Sequence, residues 1–482
     1  MDNKKNTEEI NSKEIEKRDI LKSLILSIFD EDGPTPLICW PNDMDDSAKL
    51  LISMKTISLL MGDSTYQDSY ETEGINYFGI IPFPDLKLNG LTYFFLISDP
   101  KARGNAKAST ITVLVDEDNK TFFYENMKYL RVIIDRTATK IQNISNESSY
   151  KEIMENLKGE LIEFMNALKD PFSSKRNIKI IFAGLGKAGK TSFLLGVKKR
   201  YSEIIKTLPT KGVNRYEENL LSEDNSKIIL WDLGGQKKYL ERYLEQRKIY
   251  LYNCDLLFYF VDIQDTERLD ESISLFKRII ESLTEFDEFP PIVVCLNKLD
   301  PDLKESIEIN ENIMYISSKI KFLSDKFFVK IFNTSIFIHW SLISAYSFGL
   351  SQLSPNRELF RQQLKNFAKK SNTDALLLLN ESGIILSNYS KDQISEKVFE
   401  ISAPHFQTLY KTFKEFKLLK KDFIVTFGIT DKSKKLIFKK IKVDKYNLYL
   451  LILLDDKIVI EKIEKNLPKL TANLVELINT YI

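Results

Sequence analysis

Ile178-Lys179-Ile180-Ile181-Phe182-Ala183-Gly184-Leu185-Gly186-Lys187-Ala188-Gly189-Lys190-Thr191-Ser192 is the stretch that decides the fold. Its first six residues are an apolar run broken by one lysine, as in a strand buried on both faces. The eight from Gly184 to Thr191 match G-x-x-x-x-G-K-[ST] and open a helical pattern. In such a loop the glycines let backbone N–H groups, those of Leu185, Lys187 and Ala188 among them, turn inward around phosphate oxygens. The helix N-terminus, with Ser192 in its first turn, adds partial positive charge; Lys190 reaches the terminal phosphates, and the Thr191 hydroxyl can ligate Mg²⁺. A chance glycine turn would need neither the strand before it nor the helix after it.

Working outward, the apolar runs Ile228–Trp231, Leu256–Val261, Ile292–Leu296 and Phe328–Phe332 alternate with helical patterns. This predicts a doubly wound, mostly parallel α/β domain over 176–355. Asp232 ends one of these strands and is followed by Leu233-Gly234-Gly235-Gln236, so a carboxylate reaches the phosphate-loop edge, where it can hold a Mg²⁺-bound water. At such a point a backbone N–H, here that of Gly235, meets a γ-phosphate, and Gln236 can orient the attacking water. Asn297-Lys298-Leu299-Asp300 follows another buried strand. The Asp300 carboxylate can accept two hydrogen bonds from guanine N1 and its 2-amino group, which adenine lacks. Lys298 lies along the base in this reading, and Asn297 ties its loop to the phosphate loop.

The rest of the composition narrows the classes. Across 482 residues, 69 basic and 68 acidic side chains nearly cancel, so no overall field favours nucleic acid or acidic lipid, and neither nucleic acid nor more than peripheral membrane contact is expected. Three scattered cysteines exclude a disulfide framework and, with only two histidines, leave little material for a zinc site or a histidine triad. A reducing, cytoplasmic location is expected, since neither a signal-peptide core nor an apolar run of spanning length is seen. The lysine-rich stretches Lys417–Lys421 and Lys432–Lys445 read as solvated faces.

Residues 1–18 are polar and read as a tail. Over 19–145 the pattern is a small α+β domain, with strands at Leu24–Phe29, Tyr77–Ile81, Leu91–Ser98 and Ser109–Val115 and helices over Ala48–Met61, capped by Ser47, and Phe122–Ile141. Leu50, Leu51, Met54, Ile57, Leu60 and Met61 are expected on the buried face of the first helix. Residues 146–175 read as a helical linker. A third unit, 356–482, carries strands at Ala375–Leu379, Ile384–Ser387, Phe423–Thr430, Leu436–Ile441 and Leu448–Leu454, a helix around His405–Phe416 and a closing helix.

The phosphate loop, Asp232-Leu233-Gly234-Gly235-Gln236 and Asn297-Lys298-Leu299-Asp300 together resemble the Ras-like small GTPases. Lys206–Gly212 and Trp231–Gln236 look like Arf-type switches I and II. Trp231–Gln236, Thr334-Ser335-Ile336, Ser341–Ser347 and Leu364–Ala368 ahead of Asp374–Leu378 resemble the Rag GTPases over about 176–482. The resemblance implies bound GTP or GDP with Mg²⁺, a Thr210 hydroxyl that joins the metal as the γ-phosphate arrives, and Thr334-Ser335 behind the base. Ser344-Ala345 also fits the last element but falls a few residues too late, where a helix should be. It further implies a roadblock-like domain over 356–482, while the 19–145 unit resembles the related longin fold, which Rag proteins lack. Rag proteins often lack an asparagine at Asn297; this chain keeps it. Leu208 occupies the place of a cis arginine and Arg215 reads as a surface residue, so intrinsic hydrolysis should be slow and activating and exchange partners are expected. Homo- or heterodimerisation through either end is expected too. The role implied is a switch in membrane traffic or nutrient-type signalling. A second reading is a scaffold that holds GTP or GDP without significant turnover; a third, an ATP-dependent phosphate-loop enzyme, is disfavoured by Asp300.

Overall fold

The first strand of the chain owes its place to the run Leu24–Ile28, which is buried along its whole length. In the computed structural model, which describes residues 20–61, 77–167, 176–218, 226–393, 423–458 and 460–478 apart from short gaps, it becomes β1 (Ser23–Asp30). The expected 1–18 tail and the helix around His405–Phe416 lie outside the described residues, save single positions of the latter. The described residues divide into two compact units: those up to Arg176 with Pro355–Ser371 and Ile460–Tyr481, and those of Asn177–Ser354 with Asn372–Val459.

In the first unit, β1, β2 (Gly33–Trp40), β3 (Tyr77–Phe83), β4 (Leu88–Ser98) and β5 (Ala106–Asp116) form a sheet in the order β2-β1-β5-β4-β3. Sequence reading misses β2, which carries Pro34 and Pro36; prolines are tolerated because β2 is an edge strand with one side free of ladder bonds. Helix α1 (Asp46–Met61) is capped by the Asp45 carboxylate, which accepts from Ala48 N at 3.1 Å, rather than by Ser47. Its buried face also differs from expectation: Ile52, Ser53, Thr56, Ile57 and Leu59 are buried, while Leu50, Leu51 and Met54 are exposed. The hydroxyls can face the sheet because Ser53 meets Ser27 at 2.8 Å and Thr56 meets Thr110 at 3.3 Å. Nothing buried is left unbonded there.

Helix α2 (Thr121–Gln142) buries Leu130, Ile133, Ile134, Ala138 and Ile141 at helical spacing. The segment expected as a linker forms α3 (Tyr150–Ala167), whose Tyr150, Met154, Leu157, Leu161 and Met165 belong to the same core. Two later helices, α9 (Arg357–Ser371) and α10 (Glu461–Ile478), lie against β3 and α1 in this unit. Just before α9, Asn356 accepts from Ile80 N at 2.5 Å and donates to Ile80 O at 2.9 Å, so a side chain satisfies the open edge of β3.

The second unit is built on β6 (Arg176–Gly184), β7 (Val213–Glu218), β8 (Ser226–Leu233), β9 (Leu256–Asp262), β10 (Ile292–Asn297) and β11 (Val329–Thr334), in the order β11-β10-β9-β6-β8-β7. Strands β6, β9, β10 and β11 pair in parallel and β7 is an antiparallel edge. Helices α4 (Lys190–Val197) and α8 (His339–Leu353) cover one face, burying Phe193, Leu342 and Tyr346 against Phe182, Phe258 and Phe260. Helices α6 (Leu269–Glu285) and α7 (Ile307–Leu323) cover the other. Helix α5 (Lys237–Glu245) follows β8. The same unit carries β12 (Ala375–Leu379), β13 (Ile385–Ser390), β14 (Phe423–Ile429), β15 (Lys432–Val443) and β16 (Tyr446–Asp455), ordered β13-β12-β16-β15-β14. Numbered within itself, this sheet repeats the 2-1-5-4-3 order of the first.

Candidate nucleotide site

Parallel strands deliver their C-terminal ends to one edge, and the sequence places polar or glycine residues there: Gly184, Asp232, Asn297 and Thr334. Gly184 adopts φ +141°, and a Cβ on it would lie 2.3 Å from Phe260 O, so only glycine fits. Gly189, at φ +84°, closes the loop so tightly that a Cβ would meet Asn297 Nδ2 at 2.3 Å. Lys190 is buried, and its ammonium donates to Gly184 O at 2.8 Å and Leu185 O at 2.9 Å. Burial pushes its pKa down to about 8.

Thr191 donates to Asp232 Oδ2 at 2.6 Å; Thr210 lies 3.1 Å from Thr191 and 3.4 Å from the same carboxylate oxygen. Asp232 is wholly buried, its other oxygen, Oδ1, has no hydrogen-bond partner, and burial raises its pKa. An orphaned carboxylate oxygen beside two hydroxyls is an oxygen-donor set suited to a hard cation such as Mg²⁺, which takes few protein ligands and completes its shell with water and phosphate. Among the described residues no group of three or more His, Cys, Asp or Glu could hold a metal by itself. Thr191, Thr210 and, through a water, Asp232 would hold the ion, which when bound neutralises phosphate charge.

Gly235 packs directly on the phosphate loop, since a Cβ there would sit 2.4 Å from Gly186 N. Gln236 is exposed, and its carbonyl accepts from Tyr239 N at 2.8 Å, starting α5. At the other end of the site, Asn297 donates to Ala188 O at 2.8 Å and accepts from Thr334 at 3.0 Å, joining three loops. Lys298 donates to Asp262 Oδ2 at 2.5 Å. Asp300 accepts from Ser335 Oγ at 2.6 Å and from Gln264 Nε2 at 3.2 Å. Ser344 and Ala345 lie inside α8, where a helix was expected, and Leu208 is 82% exposed. Arg215 sits over Trp231, its guanidinium carbon 3.9 Å from the ring centroid.

Three residues here escape sequence reading. Gln264 braces Asp300 and also donates to Lys298 O at 2.7 Å. Arg268, paired with Glu271 at 2.8 Å, donates to Gly186 O at 3.2 Å. Tyr243 bonds Gly212 and Gly234. Each acts through tertiary proximity, so no spacing in the chain marks it.

A strand, glycine loop and helix with a buried lysine, a hydroxyl–carboxylate cluster and an Asn-Lys-x-Asp loop at one sheet edge define a phosphate-loop nucleotide-binding protein. The Gtr1/RagA G protein conserved region matches residues 179–405. ADP-ribosylation factor F of Dictyostelium discoideum is 32% identical over 148 residues, 29% of this chain and 72% of that protein. ADP-ribosylation factor-like protein 3 of Saccharomyces cerevisiae is 31% identical over 166 residues, 33% of this chain and 79% of that protein. GTP-binding protein GTR1 of the same yeast is 23% identical over 260 residues, 51% of this chain and 82% of that protein. The chain belongs to the Ras-superfamily small GTPases of the Rag/Arf type.

Proposed function

We propose that this GTPase binds GTP and GDP with Mg²⁺ through Gly184–Ser192, Thr210, Asp232, Gly235, Asn297, Lys298, Asp300, Thr334 and Ser335, and that Gln236 orients the attacking water. Water adds to the γ-phosphorus as the bond to the β–γ bridging oxygen breaks, leaving GDP and phosphate. Lys190, already cationic below pH about 8, supplies charge to the terminal phosphates. The observation that carries this reading is the cluster at Asp232, a buried carboxylate with one oxygen shared by Thr191 and Thr210 and the other unpartnered.

The flanking regions read as longin-like (19–145) and roadblock-like (356–482) domains. The matching 2-1-5-4-3 strand order of the two antiparallel sheets supports a common origin for them. They act in this reading as dimerising elements that transmit the nucleotide state to regulators and effectors in membrane traffic or nutrient-type signalling, in the cytoplasm. No described helix is long and apolar enough to cross a membrane.

Titration calorimetry of the full chain with GTP, GDP, ATP and XTP, with and without Mg²⁺, tests the site. GTP and GDP binding strengthened by Mg²⁺, with ATP at least about a hundredfold weaker, is expected; equal affinity for ATP would remove Asp300 from base recognition. Light scattering of the full chain across concentration tests pairing, and a monomer throughout the high-micromolar range would contradict it.

A further inference from the structure

The hydroxyl of Tyr243 lies where the backbone after Thr210 meets the backbone before Gly235. Tyr243 is on α5, seven residues beyond Gln236, and is 3% exposed. Its Oη donates to Gly212 O at 2.6 Å and accepts from Gly234 N at 3.2 Å. Gly234 N also reaches Gly212 O directly, at 2.8 Å, so one carbonyl, one amide and one phenol form a closed triangle. Gly212 stands two residues after Thr210, whose hydroxyl is in the Asp232 cluster. Gly234 stands just before Gly235, which packs on the phosphate loop. The two backbones are so close that a Cβ on Gly234 would meet Thr210 O at 2.5 Å.

The ring itself is fixed. It packs against Tyr250 with centroids 4.7 Å apart, inside the core that includes Leu233 and Leu251. Burial holds the phenol proton on, with the pKa raised to about 12, so the donor persists at any working pH. The helix that carries Tyr243 begins at Gln236, whose carbonyl accepts from Tyr239 N and Leu240 N. Through this one side chain the Thr210 segment, the Gly234–Gly235 backbone and the helix that places Gln236 are joined.

We propose that Tyr243 is a positioning residue for GTP hydrolysis, its hydroxyl coupling the Thr210 segment to the Gly234–Gln236 loop so that the metal-side hydroxyl and the water-orienting amide are set together. This rests on the assignment of those residues to the nucleotide site. A core tyrosine with no such role would contribute through its ring; the coupling role resides in the hydroxyl.

The test is Tyr243→Phe in the full chain, which removes the hydroxyl and keeps the ring. Single-turnover GTP hydrolysis should fall about tenfold, the loss of one well-made hydrogen bond at the transition state, and half-saturating Mg²⁺ for hydrolysis should rise. GDP affinity should stay within about twofold. Amide exchange over 206–212 and at Gly234 should be faster than wild type with a non-hydrolysable GTP analogue bound and unchanged with GDP. Unaltered hydrolysis, Mg²⁺ dependence and exchange would overturn the proposal, as would a parallel fall in thermal midpoint, GDP affinity and rate, the mark of a structural role. Where wild type binds GTP but turns over too slowly to compare, the exchange difference alone decides, and its absence overturns the proposal. Failure of the site assignment shows separately, as wild type that does not prefer GTP over ATP or as Gln236→Leu that hydrolyses at the wild-type rate.

Discussion

The six-stranded sheet of the second unit and the five-stranded sheet of the first are close in size, yet only one of them gathers chemistry. In the former, neighbouring parallel strands end on the same side, so Gly184, Asp262, Asn297 and Thr334 converge without further construction, and Asp232 joins them from β8. In the latter every neighbour runs the other way, so strand ends alternate between edges. Its polar groups are spent on each other: Ser27 with Ser53, Thr56 with Thr110, Thr92 with Thr112 at 3.1 Å. The difference teaches that strand direction, more than composition, decides which sheet can hold a ligand. Among the described residues, the nucleotide edge carries a wholly buried carboxylate with an unsatisfied oxygen and a buried lysine beside it.

Glycines give the sharpest way to break that comparison. Gly184 and Gly33 both adopt positive φ, but a Cβ on Gly184 strikes Phe260 O while one on Gly33 meets nothing within 4 Å. Gly184→Ala should cost about 3 kcal/mol or more and abolish nucleotide binding, whereas Gly33→Ala should cost only the backbone strain of about 1–2 kcal/mol. Denaturant unfolding of the two variants measures both, and equal losses would erase the contrast. Next in size is Asp300→Asn, which replaces an acceptor by an amide. GTP affinity should drop about a hundredfold and XTP affinity should rise, with calorimetry as the readout; an unchanged GTP constant would place base recognition elsewhere.

Asn356→Ala probes the other sheet. Losing both bonds to Ile80 leaves β3 with an open edge under α9, so stability should fall by about 1–3 kcal/mol while GTP affinity holds. A change in nucleotide affinity instead would mean that the two regions are energetically less separate than their chemistry suggests. The smallest effect is on pH. The free site holds Lys190 at about 8, below its ordinary value, and bound phosphate favours the charged form and raises it again. Affinity should therefore be flat below pH about 8 and decline as pH rises past it, by at most about tenfold per unit. Titrations from pH 7 to 9.5 would detect this; affinity that climbs over that range would contradict a cationic phosphate contact.

The same contrast explains what could be read in advance. Gly184–Thr191, Asp232–Gln236 and Asn297–Asp300 could be marked in advance because their motifs fix residue types and spacings next to buried strands, and the fold gathers them at one sheet edge. Tyr243, Gln264 and Arg268 were not, because ordinary residues become important there only when folding brings them to Gly212, Asp300 and Gly186. In the first unit, apolar periodicity located α1 but mistook its face. Leu50, Leu51 and Met54 lie outside while Ser53 and Thr56 are buried, since a hydroxyl that also bonds its own helix, Thr56 to Ile52 O at 2.8 Å, carries no desolvation debt. Edge strands β2 and β7 escaped notice for a related reason: strands with an open side tolerate Pro34, Pro36, Arg215 and Glu217, which blur any alternating pattern.

Single-turnover hydrolysis with Mg²⁺, run on the full chain and on Gln236→Leu with GTP and ATP in parallel, tests whether Gln236 orients the attacking water and whether the site selects guanine. Slow turnover of GTP alone is expected, falling by about a hundredfold or more in Gln236→Leu while GTP still binds. Hydrolysis of GTP at the same rate in both proteins, or of ATP as readily as GTP, would contradict it.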